Sequence, residues 1–251
     1  MTRPDIGPLL GSGKMAEAFH YGEHVLKLYR HPDARSVAFG EAAILAIVGE
    51  HGLPTPAVHE AGHFAGRWGL VMDRVPGQPL ATHAAADPTQ VPAALEAMVQ
   101  LHLAIHAREE IRLSPLKPRL ADRIGRIGRA VQLDAPLRAT LLAKLAQLPE
   151  GNRLCHGDFH PFNIIGPPAT AMIVDWPDAT SGPPAADVAR SYVLMLHGAG
   201  RDLANAYRER YLALSPLTDP EIRAWLPIIA AARLAENVPE ETDRLLALAR
   251  G

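Results

Sequence analysis

The first 75 residues alternate short apolar runs with turn residues, a pattern typical of β-strands. In residues 34–50 the apolar positions Val37, Ile44, Leu45 and Val48 instead recur at helical spacing, which predicts one helix among the strands. Gly52 and Pro54 then end that helix. The predicted strands lie around residues 9–10 and over 16–21, 24–29, 55–62 and 69–75.

The segment Pro76-Gly77-Gln78-Pro79 interrupts this pattern and predicts a domain boundary, with one domain over residues 1–75 and another over 76–251. Helical spacing of apolar residues then predicts helices at 91–107, at 134–148 and from 185 to the end, while residues 153–175 return to short strands. Residues 80–92 and 108–120 are expected to be loops. The sequence therefore predicts an α+β protein.

Composition excludes several classes of protein. Of the 251 residues 48% are hydrophobic and 21% charged, so the chain can build a packed core and is not disordered. A net charge of −2 gives no electrostatic basis for binding nucleic acid or an anionic membrane. The single cysteine, Cys155, excludes an internal disulfide and a cysteine-based zinc cluster, and we interpret it as a buried strand residue.

The chain shows no apolar run long enough to span a membrane and does not begin like a signal peptide. We therefore expect a cytoplasmic protein that has no membrane contact. No sequence feature indicates an obligate protein partner.

Polar residues capable of chemistry are concentrated between residues 154 and 176. Asp158, Asn163 and Asp175 lie among short apolar strands. Carboxylate and amide oxygens of this kind are suited to Mg²⁺, which is usually held by one or two protein groups together with substrate phosphates. Asp158 precedes Asn163 by five residues and could orient a hydroxyl group and accept its proton.

Three blocks carry a family resemblance: His156-Gly157-Asp158-x-His160-Pro161-x-Asn163, then Asp175-Trp176, then Ala186-Asp187-Val188-Ala189. In this order and spacing they resemble the aminoglycoside phosphotransferase family, which belongs to the protein-kinase-like small-molecule kinases and is related to choline kinases. The resemblance implies a bilobal fold with a small antiparallel-sheet lobe that carries one helix and a larger, mainly helical lobe.

The resemblance also implies an activity. The chain would transfer the γ-phosphate of ATP, or GTP, to a hydroxyl of a small molecule such as an aminoglycoside, a reaction that can confer antibiotic resistance. Asp158 would be catalytic, and Asn163 and Asp175 would bind Mg²⁺.

The amino-terminal part supports the resemblance. Gly11-Ser12-Gly13 resembles the glycine-rich loop that covers nucleotide phosphates in kinases, although the same residues could form an ordinary hairpin turn. Lys27 matches the strand lysine that holds the phosphates, and the alternative is a surface lysine. Glu41 matches its partner on the helix, with Glu50 as a rival.

A Walker A loop ending at Gly13-Lys14 is excluded, because Pro8 occupies the position of its first glycine and Met15 that of its serine or threonine. The resemblance further implies a hinge at residues 70–77. There the backbone of Asp73 and Val75, next to Met72, would meet the adenine edge of the nucleotide.

Several residues of the resembling blocks are expected to support the catalytic loop rather than to react. His156 and His160 would pack and hydrogen-bond within it, because a loop containing Gly157 does not give them the helical spacing of a zinc pair. Asp187 would cap a helix or bind the loop's backbone N–H groups. His102 and His106 are interpreted as helix-packing residues.

The acceptor is less constrained by sequence. Asp178, Glu236, Glu240 and Glu241 could form an acidic rim that attracts ammonium groups, or could be solvated surface residues. A basic stretch argues against a cationic acceptor. Its members are Lys117, Arg119, Arg123, Arg126 and Arg129. A sugar or an amino alcohol therefore remains an alternative acceptor.

Two other functions were considered. A catalytically silent binding protein would be expected to lack one of Lys27, Asp158, Asn163 and Asp175, and all four are present. A protein kinase is disfavoured because residues 175–187 are too few for a long activation loop.

Overall fold

A computed structural model describes residues 4–127 and 133–251 of the chain. The chain folds into two compact units. The first comprises Met1–Asp87 and Phe162–Pro177, and the second comprises Pro88–Pro161 and Asp178–Gly251.

The strands of the described residues are β1 (Leu9–Ser12), β2 (Ala16–Tyr21), β3 (His24–Tyr29), β4 (Val58–Phe64), β5 (Arg67–Asp73), β6 (Arg153–Cys155), β7 (Ile164–Ile165), β8 (Met172–Ile173) and β9 (Thr180–Gly182). The helices are α1 (Arg35–Glu50), α2 (Leu80–Ala86), α3 (Val91–His106), α4 (Leu116–Gly125), α5 (Ala135–Gln147), α6 (Pro184–Gly198), α7 (Arg201–Leu214), α8 (Asp219–Leu234) and α9 (Thr242–Arg250).

The first unit is built on a five-stranded antiparallel sheet with the strand order β1-β2-β3-β5-β4. Apolar side chains cover both faces of the sheet, because successive residues of a strand point to opposite sides. Leu26 and Val71 pack with Phe64 on one face. Tyr29 and Leu70 pack with α1 on the other. The predicted single helix of the strand-rich region is α1, and it lies against β4 and β5.

Strands β4 and β5 continue closer to the turn that joins them than the sequence predicted. A tight turn at Ala65 and Gly66 joins them, and both residues have positive φ, of 46° and 83°. Two consecutive positive φ values match the right-handed twist of paired strands, so the ladder continues to the turn itself. The sequence pattern ended the first of these strands at residue 62 and began the next at residue 69, because Ala65 gives no turn signal.

The second unit is mainly helical and is centred on α6, which is buried from Ala185 to Leu196. Helix α8 packs on α6, and α4, α5 and α9 pack on α8. Strands β6 and β9 form a short antiparallel pair. With its strand-rich first part and helical second part, the chain has the α+β fold that the sequence predicted.

Two segments expected to be loops contain helices, namely α2 and α4. In α4 the residues Leu116, Leu120 and Ile124 are buried at a spacing of four, which is one helix face. Pro118 obscured this pattern, but it is the third residue of the helix, where the backbone N–H has no partner within the helix.

The compact units do not coincide with the predicted division between residues 75 and 76. Residues 76–87 belong to the first unit, as do 162–177. Hydrogen bonds explain this: the N–H of Gly166 donates to the carbonyl of Gln78 at 2.9 Å, and that of Ile173 donates to Pro54 at 2.7 Å. Asn163 and Asp175 therefore share a unit with Lys27.

Candidate active site

In the first unit, the glycine-rich segment forms the end of the β1–β2 hairpin. The N–H of Gly13 donates to the carbonyl of Ala16 at 2.9 Å and closes the turn. Arg30, the residue after β3, fixes the turn, because its guanidinium donates to the Ser12 hydroxyl at 2.6 Å and to the Gly13 carbonyl at 3.0 Å. Gly11 has open space around its Cα, so no side chain obstructs a ligand there. The segment is thus a hairpin turn, the geometry that a phosphate-covering loop also requires.

Lys27 is the centre of an ion-pair cluster in the first unit. Its Nζ lies 2.7 Å from Glu41 Oε1 and 2.7 Å from Asp175 Oδ1. Glu41 is buried, and its second oxygen accepts a hydrogen bond from the hydroxyl of Tyr29. Burial would lower the pKa of Lys27, but the charges of Glu41 and Asp175 outweigh it and raise that pKa above its ordinary value. Lys27 is therefore a fixed, permanently charged ammonium group.

Asn163 and Asp175 lie at the same end of the β7–β8 pair. Ile164 pairs with Ile173, and the N–H of Val174 donates to the Asn163 carbonyl at 2.9 Å. Asp175 adopts a positive φ of 65°, a conformation that non-glycine residues rarely take and that is concentrated at functional sites. Together the two residues offer a carboxylate and an amide oxygen, which is a donor set suited to Mg²⁺.

The predicted hinge follows the end of β5. Met72 and Asp73 are the last residues of that strand, and Val75 lies just beyond it. The Asp73 carboxylate accepts hydrogen bonds from the N–H of Ala57 at 3.0 Å and from His59 at 2.6 Å. The Ala57 hydrogen bond and the His59 contacts lower the pKa of Asp73 against the effect of burial. The side chain is therefore turned towards β4, so only the backbone of this segment would be left to meet a base.

In the second unit, Asp158 lies on the loop after β6 and is held by two basic side chains. Arg190 donates to Asp158 Oδ1 at 3.1 Å, and His160 Nε2 lies 3.5 Å from Oδ2. Burial would raise the pKa of Asp158, but the His160 hydrogen bond and the Arg190 charge hold it well below its ordinary value. At neutral pH Asp158 is therefore an ionised acceptor of fixed orientation.

The backbone of this loop is bound by Asp187 from α6. Its carboxylate accepts from the N–H of His156 at 2.7 Å and from that of Gly157 at 2.9 Å. His102 and His106 of α3 donate to the same carboxylate at 3.0 and 3.2 Å. Burial opposes the ionisation of Asp187, yet these hydrogen bonds bring its pKa well below the usual range. This buried carboxylate thus joins α3, α6 and the loop.

The two histidines of α3 are buried, as their interpretation as packing residues requires. Burial lowers the pKa of His102 to about 3, so its ring is neutral and accepts a hydrogen bond from the Tyr207 hydroxyl at 2.6 Å. His156 is also buried, and its Nδ1 accepts from the N–H of Asp158 at 3.2 Å. Cys155 is buried as expected, and burial raises the pKa of its thiol, so no thiolate nucleophile forms.

The four acids of the predicted rim are placed differently from one another. Asp178 accepts hydrogen bonds from Arg119 and, at 2.6 Å, from Arg123. Glu236 lies 2.8 Å from Arg190 and also contacts Arg233.

The other two acids of the rim are Glu240 and Glu241. The latter is buried and pairs with Arg233 at 2.7 Å, whereas Glu240 is exposed. Of the four acids, Asp178 and Glu236 are the two that line a cavity.

Two cavities of the second unit adjoin these acids. The inner cleft holds about 20 Å³, and its lining includes Leu116, Arg119, Arg123, Asp178, Arg190 and Ile229. The outer basin holds about 300 Å³ and is lined by Arg119, Asp122, Arg123, Arg126, Ala235 and Glu236. Among the described lining residues neither Glu240 nor Glu241 occurs. Of the basic stretch predicted from sequence, Arg129 lies outside the described residues.

Sequence reasoning missed Arg190, which is 5% exposed and touches Asp158, Glu236 and the carbonyl of Gly157. Its signal was its position three residues after Asp187 on one helix, because residues three apart share a face. The pairing of Asp178 with Arg119 and Arg123 was also missed, and those partners are more than fifty residues apart in sequence.

Two other groups bring metal-ligand atoms together in the described residues: His102, His106 and Asp187, and His24, His59 and Asp73. The first is buried and its ligand atoms are occupied by the hydrogen bonds that hold the loop. In the second, the His59–Asp73 hydrogen bond orients the end of β5. Within the described residues, no helix is both long and apolar enough to cross a membrane.

Comparison with known proteins identifies relatives of this fold. The family model described as the phosphotransferase enzyme family matches residues 17–226. Among curated protein sequences none matches the chain. A solved structure of a thermostable mutant of aminoglycoside phosphotransferase APH(4)-Ia is 18% identical, with 99% of this chain and 95% of that chain covered and a TM-score of 0.71.

Two complexes are also similar. One is a thermostable mutant of the same phosphotransferase with AMP-PNP and hygromycin B, at 18% identity and a TM-score of 0.70, covering 99% of this chain and 94% of that one. The other is aminoglycoside phosphotransferase APH(3'')-Id from Streptomyces rimosus with ADP and streptomycin, at 21% identity and a TM-score of 0.64, covering 86% and 90%. At such identities the likeness shows the kinase-like fold.

Proposed function

Because this chain belongs to the phosphotransferase enzyme family, we propose that it transfers the γ-phosphoryl group of ATP to a hydroxyl group of a small molecule. The observation that carries the proposal is the cluster in which Lys27 lies 2.7 Å from both Glu41 and Asp175. Catalysis of phosphoryl transfer depends on positioning and on neutralising charge, and this cluster supplies a fixed cation beside a carboxylate suited to a metal.

Lys27 binds the phosphates of the nucleotide. Glu41 holds it from the protein side and is itself held by the Tyr29 hydroxyl, so the ammonium group needs no reorganisation when the phosphates arrive. The hairpin turn Gly11–Gly13 covers the phosphates, since its glycines let the backbone come close to a ligand, and the hinge backbone of Met72, Asp73 and Val75 meets the base. Complexes of related folds with AMP-PNP and ADP support an adenine nucleotide, and GTP is the alternative that an assay distinguishes.

Asn163 and Asp175 would hold Mg²⁺, whose charge, when bound, neutralises the phosphate oxygens. Asp175 occupies a strained backbone conformation that aims its carboxylate at Lys27. With Mg²⁺ bound, the Asp175 carboxylate would be a ligand of the metal as well as a partner of Lys27.

Asp158 orients the hydroxyl group of the acceptor and accepts its proton. Its low pKa makes it a weak base, so it accepts the proton late, after the hydroxyl oxygen has begun to bond to phosphorus. Asp187 and Arg190 are positioning residues, since the first holds the loop's backbone and the second holds the Asp158 carboxylate. Because the proposed reaction consumes ATP, we expect it to take place in the cytoplasm.

The test is a phosphate-transfer assay on the purified chain with ATP or GTP, Mg²⁺ and a panel of hydroxyl compounds that includes hygromycin B, streptomycin, sugars and amino alcohols. Asp158→Asn should lower kcat by about 100-fold or more, the effect of a general base, and leave nucleotide affinity within twofold. Asp202→Asn, an exposed acid on α7, is the matched control and should behave as wild type. Wild-type turnover in Asp158→Asn would refute the proposal.

A further inference from the structure

The carboxylates that a cationic acceptor would need are already paired with arginines. One oxygen of Asp178 accepts hydrogen bonds from both Arg119 and Arg123. Glu236 is paired with Arg190 and Arg233. An ammonium group could bind these acids only by displacing guanidinium groups, which make charge-assisted hydrogen bonds to carboxylates.

Three arginines face two acids in the lining of each cavity: Arg119, Arg123 and Arg190 with Asp178 and Asp187 in the inner cleft, and Arg119, Arg123 and Arg126 with Asp122 and Glu236 in the outer basin. Two guanidinium groups share the Asp178 carboxylate, and the other acid near Arg123, Glu236, is 3.6 Å away. Burial, together with the charges of Arg123 and Arg190, lowers the pKa of Arg119 despite the opposing charges of Asp178 and Glu236. A second anion at this point would therefore be stabilised by Arg119 and Arg123.

These two arginines belong to a surface that can also hold a carbon skeleton. Leu116, Arg119, Leu120 and Arg123 follow one another at spacings of three, one and three, so they lie on one face of α4. Ile229 of α8 completes an apolar wall of the inner cleft. The outer basin, of about 300 Å³, has room for a compound of sugar size beside the guanidinium groups.

We propose that the acceptor is a small hydroxyl compound bearing a carboxylate or phosphate group, and that Arg119 and Arg123 bind this anionic group. The proposal rests on the proposed function, since it names the acceptor class of the same reaction. A guanidinium presents a planar set of donors that matches either group with paired hydrogen bonds. The apolar residues of α4 and α8 would contact the carbon atoms of the acceptor.

The first experiment compares four hexoses that differ in charge: glucose, glucosamine, glucuronate and glucose 6-phosphate. Isothermal titration of the full chain, with inorganic phosphate as a probe that has no carbon skeleton, should show binding of the anionic compounds and not of glucose or glucosamine. The glucuronate and glucose 6-phosphate arms distinguish a carboxylate from a phosphate. Failure of all three anions to bind would overturn the proposal.

Variants locate the anion. Arg119→Gln or Arg123→Gln should each weaken anion binding about tenfold, the loss of one charge-assisted hydrogen bond. Each leaves Asp178 paired with the other arginine, so the fold is retained, and circular dichroism checks this. Arg223→Gln, an exposed arginine with one ion pair to Asp219, is the matched control. Lys27→Ala should also leave anion affinity unchanged, whereas a loss there would mean that the anions occupy the nucleotide site.

Asp178→Asn distinguishes an anionic from a cationic acceptor, because it should change the affinities for the two in opposite directions. It removes the negative charge that Arg119 and Arg123 share, so anions should bind several-fold more tightly. A cationic acceptor held by Asp178 would bind more weakly instead. Transfer to hygromycin B or streptomycin that is lost in both Asp178→Asn and Asp158→Asn would overturn the anionic acceptor and leave the kinase activity standing. Anion binding at Arg119 and Arg123 without nucleotide binding would overturn the kinase activity and leave the anion site.

Discussion

Replacement of Arg190 by glutamine tests how Asp158 is positioned. The guanidinium of Arg190 makes three contacts, to Asp158 at 3.1 Å, to the Gly157 carbonyl at 3.1 Å and to Glu236 at 2.8 Å. The side chain is buried, so its replacement by glutamine leaves the carboxylates of Asp158 and Glu236 without this cation.

The expected loss of stability depends on the ion pairs that Asp158 and Glu236 keep in the variant. Asp158 keeps His160, Glu236 keeps Arg233, and both acids are about a quarter exposed, with 25% and 27% of their side chains accessible. Solvent screens part of the loss, so the cost lies below the sum of three charge-assisted hydrogen bonds, at about 3 kcal/mol. For a chain of this size that corresponds to a fall in Tm of about 6–12 °C.

The kinetic effect should be selective. Arg190 holds the acceptor-side carboxylate and belongs to the second unit, whereas Lys27 belongs to the first. We therefore expect Arg190→Gln to lower kcat by about tenfold, equivalent to about 1.4 kcal/mol of positioning, with the KM for ATP within twofold. Arg190→Lys should recover part of the rate because it restores the charge near Asp158.

The stability difference should depend on pH. Arg190 helps to depress the pKa of Asp158 in the folded state, and such a group stabilises the fold above its unfolded pKa of about 3.9. That contribution is lost as the pH falls through the folded-state pKa. In Arg190→Gln the folded-state pKa moves up towards the unfolded value, so the wild-type advantage should shrink as the pH falls below about 5.

Thermal denaturation between pH 7 and pH 2 and steady-state kinetics at pH 7.5 measure these effects. The exposed Arg223→Gln variant should lose less than about 0.5 kcal/mol. A Tm and a kcat of Arg190→Gln equal to those of the wild type would refute the reasoning. So would a large rise in the KM for ATP with kcat unchanged, because the arginine would then act on the nucleotide.

Four further changes test the rest of the site. Lys27→Ala should weaken ATP binding about tenfold and lower kcat about 100-fold, and Glu41→Gln should have a smaller effect, by titration and kinetics; equal ATP affinity in Lys27→Ala would contradict its role. Asp175→Ala should remove the Mg²⁺ dependence of nucleotide binding, which titration of ATP with and without Mg²⁺ would detect. His102 should show no change in its NMR ring shifts between pH 8 and pH 5, because burial lowers its pKa to about 3; a titration in that range would mean a more open α3. Gly157→Ala should cost about 3 kcal/mol or more in denaturant unfolding, because its φ is 80° and a Cβ would lie 2.2 Å from a backbone carbonyl oxygen.

Several of the candidate site residues could be identified from the sequence alone. Three blocks, at residues 156–163, 175–176 and 186–189, carried the resemblance. Lys27 and Glu41 supported it, and their expected ion pair is present at 2.7 Å. Strands β2 and β3 and helices α1 and α3 were predicted to within a residue or two, because alternation and helical spacing of apolar residues are local properties.

Tertiary structure alone decided the partners of the charged residues. Asp178 was one candidate for binding a cationic acceptor, yet Arg119 and Arg123 of α4 pair with it. Residues 162–177 bind the strand-rich unit through backbone hydrogen bonds that no side-chain pattern records. Motifs and periodicity indicate which residues are present and which face of a helix or strand is buried. Which charged residues pair depends on how faces that are distant in sequence pack together. Nothing in the sequence around Arg119 and Arg123 therefore indicated that they pair with Asp178.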